Sequence, residues 1–282
     1  MANNQQQADY WSSDPGLKWI KFEKELDTIF EAVNSALIQR ADPKTGEHLL
    51  DIGCGTGATA RAFSSYLAPG GSITALDISE PLLAHASSRA NQCGVKSQYK
   101  LVDAQKDPIP RAPFDLVTSR FGVMFFSDPV AAFSNIRDHL KPGGRLMVAA
   151  WAKIKGNPWF EAPRDGAVAQ LGPFEASNPH APDPLSFQNV ERVVGLLTDA
   201  GFQNVVGKEA EVILSHPGPL DDVAALASNI GPAARVLKKY NGGPEDIEAI
   251  KNYVHRKFQE FETTQAVRIP AQLNFFYGEK SI

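Results

Sequence analysis

Leu49-Leu50-Asp51-Ile52-Gly53-Cys54-Gly55-Thr56-Gly57 decides how this 282-residue chain is read. A short apolar run ends in an acid, and three glycines follow at two-residue spacing before a helical pattern begins. That order predicts a strand, a tight loop and the start of a helix. Glycine takes positive φ at little steric cost and lets a ligand approach the main chain where a Cβ would collide. The helix behind the loop starts with N–H groups that have no partner inside it. The spacing is Asp-x-Gly-x-Gly-x-Gly. The dinucleotide fingerprint Gly-x-Gly-x-x-Gly would place its third glycine at Ala58 instead.

Beyond the loop, helix and strand signals alternate. The spacing predicts a helix from Gly57 to Leu67, a turn at Pro69-Gly70-Gly71 and a strand over Ser72–Leu76 closed by Asp77. Ser79-Glu80-Pro81 opens a helix over Leu82–Gln92, with Gly94 as its C′ residue. Gln98–Val102 and Phe114–Ser119 read as the next strands. Ser127-Asp128-Pro129 opens a helix to Leu140, and Lys141-Pro142-Gly143-Gly144 turns into a strand over Arg145–Ala150. Alternating strands and helices mean a parallel, doubly wound α/β sheet. Ligands of such sheets bind beyond the carboxyl ends of the strands, near the topological switch point. Asp51, Asp77, Asp103 and Ser119-Arg120 all stand at those ends on this reading, so they line one cleft.

Upstream, residues 1 to about 13 are polar and read as mobile. Asp14-Pro15 then starts a helix whose apolar residues Trp19, Phe22, Leu26, Ile29, Phe30, Val33 and Leu37 keep helical spacing. Downstream, residues 151–185 carry prolines at 158, 163, 173, 179, 182 and 184, too irregular a pattern for a packed layer. Val190, Val193, Val194 and Leu197 mark a helix, and Val205–Leu214 a strand. Residues 219–264 read as helical, and Val267–Tyr277 alternates as a strand.

The glycine loop, Asp77, Asp103-Ala104 and Phe114-Asp115-Leu116-Val117-Thr118-Ser119-Arg120-Phe121-Gly122 resemble the motifs of class I S-adenosylmethionine-dependent methyltransferases. The likeness is specific over about residues 46–151 and architectural beyond 186. Within the superfamily the core looks most like the group that includes the ubiquinone and menaquinone C-methyltransferases. The resemblance implies a Rossmann-like sheet of seven strands, the last antiparallel, with an inserted helical cap. Residues 1–42 would be a helical segment over the cleft, 43–150 the donor-binding core and 151–185 a lid. Residues 186–218 and 265–282 would complete the sheet, and 219–264 would form the cap.

The same resemblance implies roles. The donor loop would comprise Asp51, Gly53, Cys54, Gly55 and Gly57. Asp77, with Ile78 beside it, stands twenty residues past Gly57 and can accept both ribose hydroxyls, as an acid about 20 residues on does in the dinucleotide fold. Asp103 would receive the adenine amino group, and the Ala104 N–H a ring nitrogen. Asp51 either holds the donor's ammonium or caps N–H groups of its own loop. Ser119 would offer a backbone carbonyl to the donor amine. Arg120 can grip a carboxylate of donor or substrate with its planar fork, or serve as an ordinary surface cation. The Phe121–Phe126 run reads first as core packing and second as a substrate wall. Tyr10, Trp11 and Trp19 are candidates to face a sulfonium.

In-line methyl transfer needs geometry and desolvation more than covalent chemistry. No metal is required, and no catalytic residue is assigned beyond His180 as a candidate base; His85 and His139 read as solvent-facing. Composition narrows the partners. The formal net charge is −4 without a basic stripe, which disfavours nucleic acid. Cys54 and Cys93 suit a reducing cytoplasm, no apolar run is long enough to span a membrane, and six scattered histidines show no zinc spacing. The expected partner is a small molecule, with a homodimer through 219–264 as the alternative use of those helices. Two rival activities fit the same sheet: a donor-binding protein that catalyses another reaction, and an NAD-dependent oxidoreductase.

Overall fold

The computed structural model describes residues 4–90, 94–174 and 181–282. A seven-stranded sheet runs through it in the order β3-β2-β1-β4-β5-β7-β6. The strands are β1 (His48–Ile52), β2 (Ser72–Asp77), β3 (Lys96–Leu101), β4 (Phe114–Arg120), β5 (Leu140–Trp151), β6 (Gln203–His216) and β7 (Val267–Glu279). The first five pair in parallel, and β7 runs antiparallel to both β5 and β6. Chain order reverses between β1 and β4, so the switch point lies where the glycine loop leaves the sheet. The expected fold class, a doubly wound Rossmann-like sheet of seven strands with an antiparallel last strand, is the one observed.

Hydrophobic pattern and burial agree along the central strands. Leu49, Leu50, Leu116, Val117 and Val148 are fully buried, as sheets covered on both faces require. The edge strand β6 instead carries exposed Lys208, Glu209 and Glu211, charges that discourage pairing with another edge. Helices α5 (Ala58–Leu67), α6 (Glu80–Ser88) and α7 (Pro129–Asp138) connect the parallel strands. The expected starts hold: Ser79 caps α6 through Leu82 N–H at 3.4 Å, and Asp128 caps α7 through Ala131 N–H at 3.1 Å. Helix α6 ends at Ser88, short of the expected Gln92, which lies with Cys93 outside the described residues.

Three expectations are corrected. The polar N-terminus is helical over α1 (Gln5–Trp11). The long helix expected from Asp14 is three, α2 (Asp14–Lys21), α3 (Glu23–Ile29) and α4 (Glu31–Ala41). The breaks fall at Phe22 and Phe30, whose ψ angles of 21° and 9° leave the helical range. Phe30 turns its ring into an aromatic cluster there, so tertiary packing overrides helical periodicity. Third, the proline-marked stretch after β5 contains a packed helix, α8 (Pro158–Leu171). Pro158 sits in its first turn, where no N–H is needed, and Trp159 and Phe160 are buried.

Helices α10 (Leu220–Asn229), α11 (Gly231–Tyr240) and α12 (Pro244–Phe258) pack around α8. Val223, Val236, Ile250, Val254 and Phe258 are fully buried within this group. Fully buried Asn157 fastens it to the sheet: its Oδ1 accepts from Gln272 N–H at 2.7 Å and its Nδ2 donates to the Gln272 carbonyl at 3.1 Å. Helix α9 (Val190–Asp199) covers β6 and β7. Among the described residues no helix is long and apolar enough to cross a membrane.

Candidate functional site

A cavity of about 730 Å³ opens over the carboxyl ends of β1, β2 and β4. Its floor is the glycine loop. Gly53 takes φ +65°, and a Cβ there would stand 2.8 Å from the Gly122 Cα, so two backbones touch where β1 and β4 end. Gly55 takes φ +54°, and a Cβ on it would meet only the Trp19 Nε1 at 3.9 Å. The loop therefore leaves free space above its main chain. Gly57 opens α5 with φ +84° and lies outside the cavity wall.

Asp77 shapes this loop. Its Oδ2 accepts from the Gly55 N–H at 2.8 Å and its Oδ1 from the Ser79 N–H at 2.9 Å. Burial pushes its carboxyl up, against the pull of those N–H groups. Each oxygen keeps a further lone pair for a ligand hydroxyl. Asp103 is built the same way. Its Oδ1 accepts from Gln105 N–H at 3.0 Å and from Asn4 Nδ2 at 2.9 Å. Its buried Oδ2 has no hydrogen-bond partner among the described residues, with Lys106 Nζ 3.5 Å away. An orphaned acceptor beside the backbone of Ala104 fits an amino-purine edge.

Asp51, Asp27 and Arg120 lie near one another at one end of the floor; Asp51 is buried, whereas Asp27 is 26% exposed and pairs with Arg61 at 2.6 Å. Neither oxygen of Asp51 has a hydrogen bond among the described residues, so the expectation that it caps its own loop is overturned. Burial pushes its carboxyl up to about 7; Arg120 and the Ala60 N–H, which falls short of hydrogen-bond geometry, only partly offset this. Arg120 is half-buried in the cavity wall, not a free surface cation. Its Nη1 has no partner among the described residues, and its guanidinium lies 5.7 Å from the Phe30 ring centre. Burial lowers its affinity for the proton, and Asp27 and Asp51 only partly offset this. Of the three only Arg120 lines the cavity, and a ligand carboxylate there would satisfy its unpartnered Nη1.

Of the residues expected at the site, Gly53, Cys54, Gly55, Asp77, Ile78, Asp103, Ala104 and Arg120 line the cavity. Asp51, Gly57 and Ser119 do not. Ser119 is fully buried; its Oγ donates to the Ile52 carbonyl at 2.7 Å and accepts from Gly122 N–H at 3.2 Å, stapling β1 to β4. Burial pushes the Cys54 thiol well up, with Asp77 and Asp51 adding to the effect. His180 lies outside the described residues. His85 and His139 are engaged rather than free: His85 Nε2 pairs with Glu23 at 2.8 Å, and His139 Nε2 accepts from Ile109 N–H at 3.2 Å.

The roof is aromatic and comes from far-apart segments. Trp11 packs edge-on to Phe125 at 4.9 Å between ring centres, and Trp19 stacks on Phe30 at 6.2 Å. Phe121 stacks on Trp151 at 4.7 Å, which meets Phe160 at 4.5 Å. Phe121 takes φ +70°, unusual for a bulky residue. Its N–H is held by the Ala149 carbonyl at 3.0 Å, and this conformation sends its ring toward Trp151. The Phe121–Phe126 run thus serves both expected uses: Val123 is core, while Phe121, Met124, Phe125 and Phe126 are wall. The N-terminal helices close one side, fixed by Ser79 Oγ donating to the Trp11 carbonyl at 2.9 Å and Ser127 Oγ donating to Asn4 Oδ1 at 2.7 Å. Asn4 gave no sequence signal, because its partners are about a hundred residues away.

Comparisons with known proteins agree with this geometry. A methyltransferase domain family matches residues 49–144. The ubiquinone/menaquinone biosynthesis C-methyltransferase of Cupriavidus taiwanensis is 31% identical over 196 residues, covering 64% of this chain and 78% of that protein. Among solved structures, phosphoethanolamine N-methyltransferase 2 of Haemonchus contortus in complex with S-adenosyl-L-methionine superposes with a TM-score of 0.59 at 18% identity. That match covers 98% of this chain and 60% of the other. The (4+2)-cyclase SpnF superposes with a TM-score of 0.55 at 21% identity, over 89% of this chain and 80% of its own. At such identity a shared fold does not carry an activity; the sequence relatives do. The chain belongs to the class I S-adenosylmethionine-dependent methyltransferases. It is an enzyme that takes its methyl group from S-adenosylmethionine.

Proposed function

We propose that this enzyme methylates a small, largely apolar molecule held between the donor floor and the aromatic roof. The observation that carries the reading is the continuous wall of Trp11, Trp19, Phe30, Phe121, Trp151 and Trp159 facing the glycine loop across one cavity. A chamber of several hundred Å³, mostly apolar with a few convergent polar groups, is the usual form of a small-molecule site. The ubiquinone/menaquinone biosynthesis enzyme to which the chain is similar supports an apolar acceptor as well. The net charge of −4 argues against nucleic acid as acceptor. We also propose a cytoplasmic protein; the apolar faces of α10, α11 and α12 are used inside the chain, which weakens the case for a dimer through them.

When bound, the donor supplies an electrophilic methyl group on a positively charged sulfur. The chain's residues hold and shield it. Gly53 and Gly55 let the main chain approach the donor, Asp77 and Ile78 hold the ribose, and Asp103 with the Ala104 N–H holds the adenine. Cys54 closes the loop, Arg120 answers the amino-acid end with Asp51 behind it in a supporting place, and Ser119 keeps β1 and β4 together. The aromatic wall excludes water, which otherwise weakens electrostatic attraction and competes for the methyl group. Ring faces near the sulfur favour its positive charge.

The test is methyl transfer itself. Protein incubated with methyl-labelled donor and a fractionated metabolite extract should place label in small, organic-soluble products. Label found only in RNA or protein overturns the acceptor class.

A further inference from the structure

We infer that the acceptor carries an anionic group, and that Arg235 and Lys238 on α11 receive it. This rests on the reading of the cavity as an apolar acceptor chamber. Among the described residues beyond Trp151 in the chain, the charged and amide side chains of the wall are two cations, Arg235 and Lys238, and two amides, Asn229 and Asn241; none is acidic. The acids elsewhere in the wall are accounted for. Asp77 and Asp103 belong to the donor floor, and Asp14 pairs with Lys18 at 3.0 Å.

One face of α11 is turned to the chamber. Gly231, Ala234, Arg235, Lys238 and Asn241 recur at steps of three and four, the spacing of a single helix face. The opposite face, with Ala233 and Val236, is fully buried toward α8. Residues three apart on a helix hold their Cβ atoms about 5–6 Å apart, so two such cations can reach one carboxylate or phosphate.

Arg235 is aimed by its ion pair with Asp183. Asp183 is itself fixed, its Oδ1 accepting from the Leu185 N–H at 2.7 Å. The pair occupies one guanidinium nitrogen of Arg235, and the remaining donors have no partner among the described residues. Lys238 has no ion pair among the described residues. A lysine in the last turn of a helix ordinarily answers the helix dipole, and the adjacent Lys239 serves there, donating to the Pro173 carbonyl at 3.0 Å. Only Lys238 of the two borders the chamber. Asp183 answers one nitrogen of Arg235, while Lys238 stands exposed at the chamber wall, and in a protein of net charge −4 such a cation draws an anion locally. Arg235 and Lys238 share one cavity with the glycine loop, so an acceptor anchored by its anion at α11 lies in the same chamber as the donor floor.

Carboxylate and phosphate both suit a guanidinium, and three probes separate them. Protein saturated with S-adenosylhomocysteine is titrated calorimetrically with naphthoate, naphthyl phosphate and neutral naphthamide. At least one anion should bind roughly tenfold or more tighter than the amide, and the tighter of the two names the group. Lys238→Gln and Arg235→Gln should each cut that advantage, with S-adenosylhomocysteine affinity unchanged in Lys238→Gln. Equal binding of all three probes, or an advantage that survives both substitutions, overturns the anion assignment and leaves the apolar chamber standing. Failure of all three to bind overturns the chamber reading and the inference with it.

Discussion

The floor and the roof of the cavity are made by opposite means. The floor is main chain and short acids within one stretch of chain, Gly53 to Arg120. Its chemistry comes from backbone approach, from Asp77 fixed by two N–H groups, and from buried polar atoms left without partners. The roof is large side chains drawn from α1, α2, the end of β4, the end of β5 and α8. Its chemistry is shape and exclusion of water. A floor of this kind suits one invariant donor, whereas a wall of separate rings can be altered one residue at a time to suit an acceptor. Substitutions in the floor should therefore be severe and donor-specific, and those in the roof mild and acceptor-specific.

Gly53→Ala should give the largest effect. The new methyl group meets Gly122 in a backbone conformation that disfavours any side chain, costing roughly 2–5 kcal/mol from the left-handed strain and overpacking together. Chemical denaturation should show that loss, with donor binding undetectable by calorimetry. Next comes Asp77→Ala, which removes an ionised acceptor worth about 1.5–3 kcal/mol per hydrogen bond. S-adenosylhomocysteine affinity should fall about ten- to a hundredfold; wild-type affinity would remove Asp77 from the floor.

Asp51 gives a pH signature. Burial holds its carboxyl up at about 7 in the folded chain, above its ordinary value of 3.8. Between those two values the folded state binds more protons than the unfolded one. The stabilisation linked to this proton is complete below about pH 4 and is lost as pH rises through 7. Thermal unfolding of the donor-free protein should thus worsen from pH 5.5 to 8, by up to about 1.4 kcal/mol per pH unit. Asp51→Asn should flatten that slope and melt higher than wild type at pH 8. A slope unchanged in the variant would place the titration elsewhere.

Smaller effects follow. Asp103→Ala removes the orphaned Oδ2 and should weaken S-adenosylhomocysteine by about tenfold. The smallest belongs to the roof. Phe125→Leu keeps an apolar side chain in the wall beside Trp11 and should shift acceptor KM by only about two- to fivefold, since volume-conserving apolar exchanges cost little. Donor affinity should stay at wild type. A donor effect as large as that of Asp103→Ala would dissolve the distinction between floor and roof.

Sequence alone determined what depends on neighbours in the chain. The glycine loop, the acids closing β2 and following β3, the helix starts at Ser79 and Asp128, and the alternation of strand and helix all rest on local sterics, hydrogen bonding and periodicity. That was enough for the sheet and for eight residues that line the cavity. Tertiary structure alone decided the rest. Asn4 reaches Asp103 across ninety-nine residues, and Phe30 breaks a helical pattern to join rings from β4, β5 and α8. Phe121 adopts positive φ under the hold of β5, and Arg120 enters the cavity wall half-buried, near Asp27 and Asp51. The prolines after Trp151 read as breakers, yet α8 forms because Trp159 and Phe160 gain a buried place against the ends of the strands. Turn and strand signals are written into adjacent residues. Burial and partnership are settled only when segments a hundred residues apart compete for the same volume, and no window of sequence contains that competition.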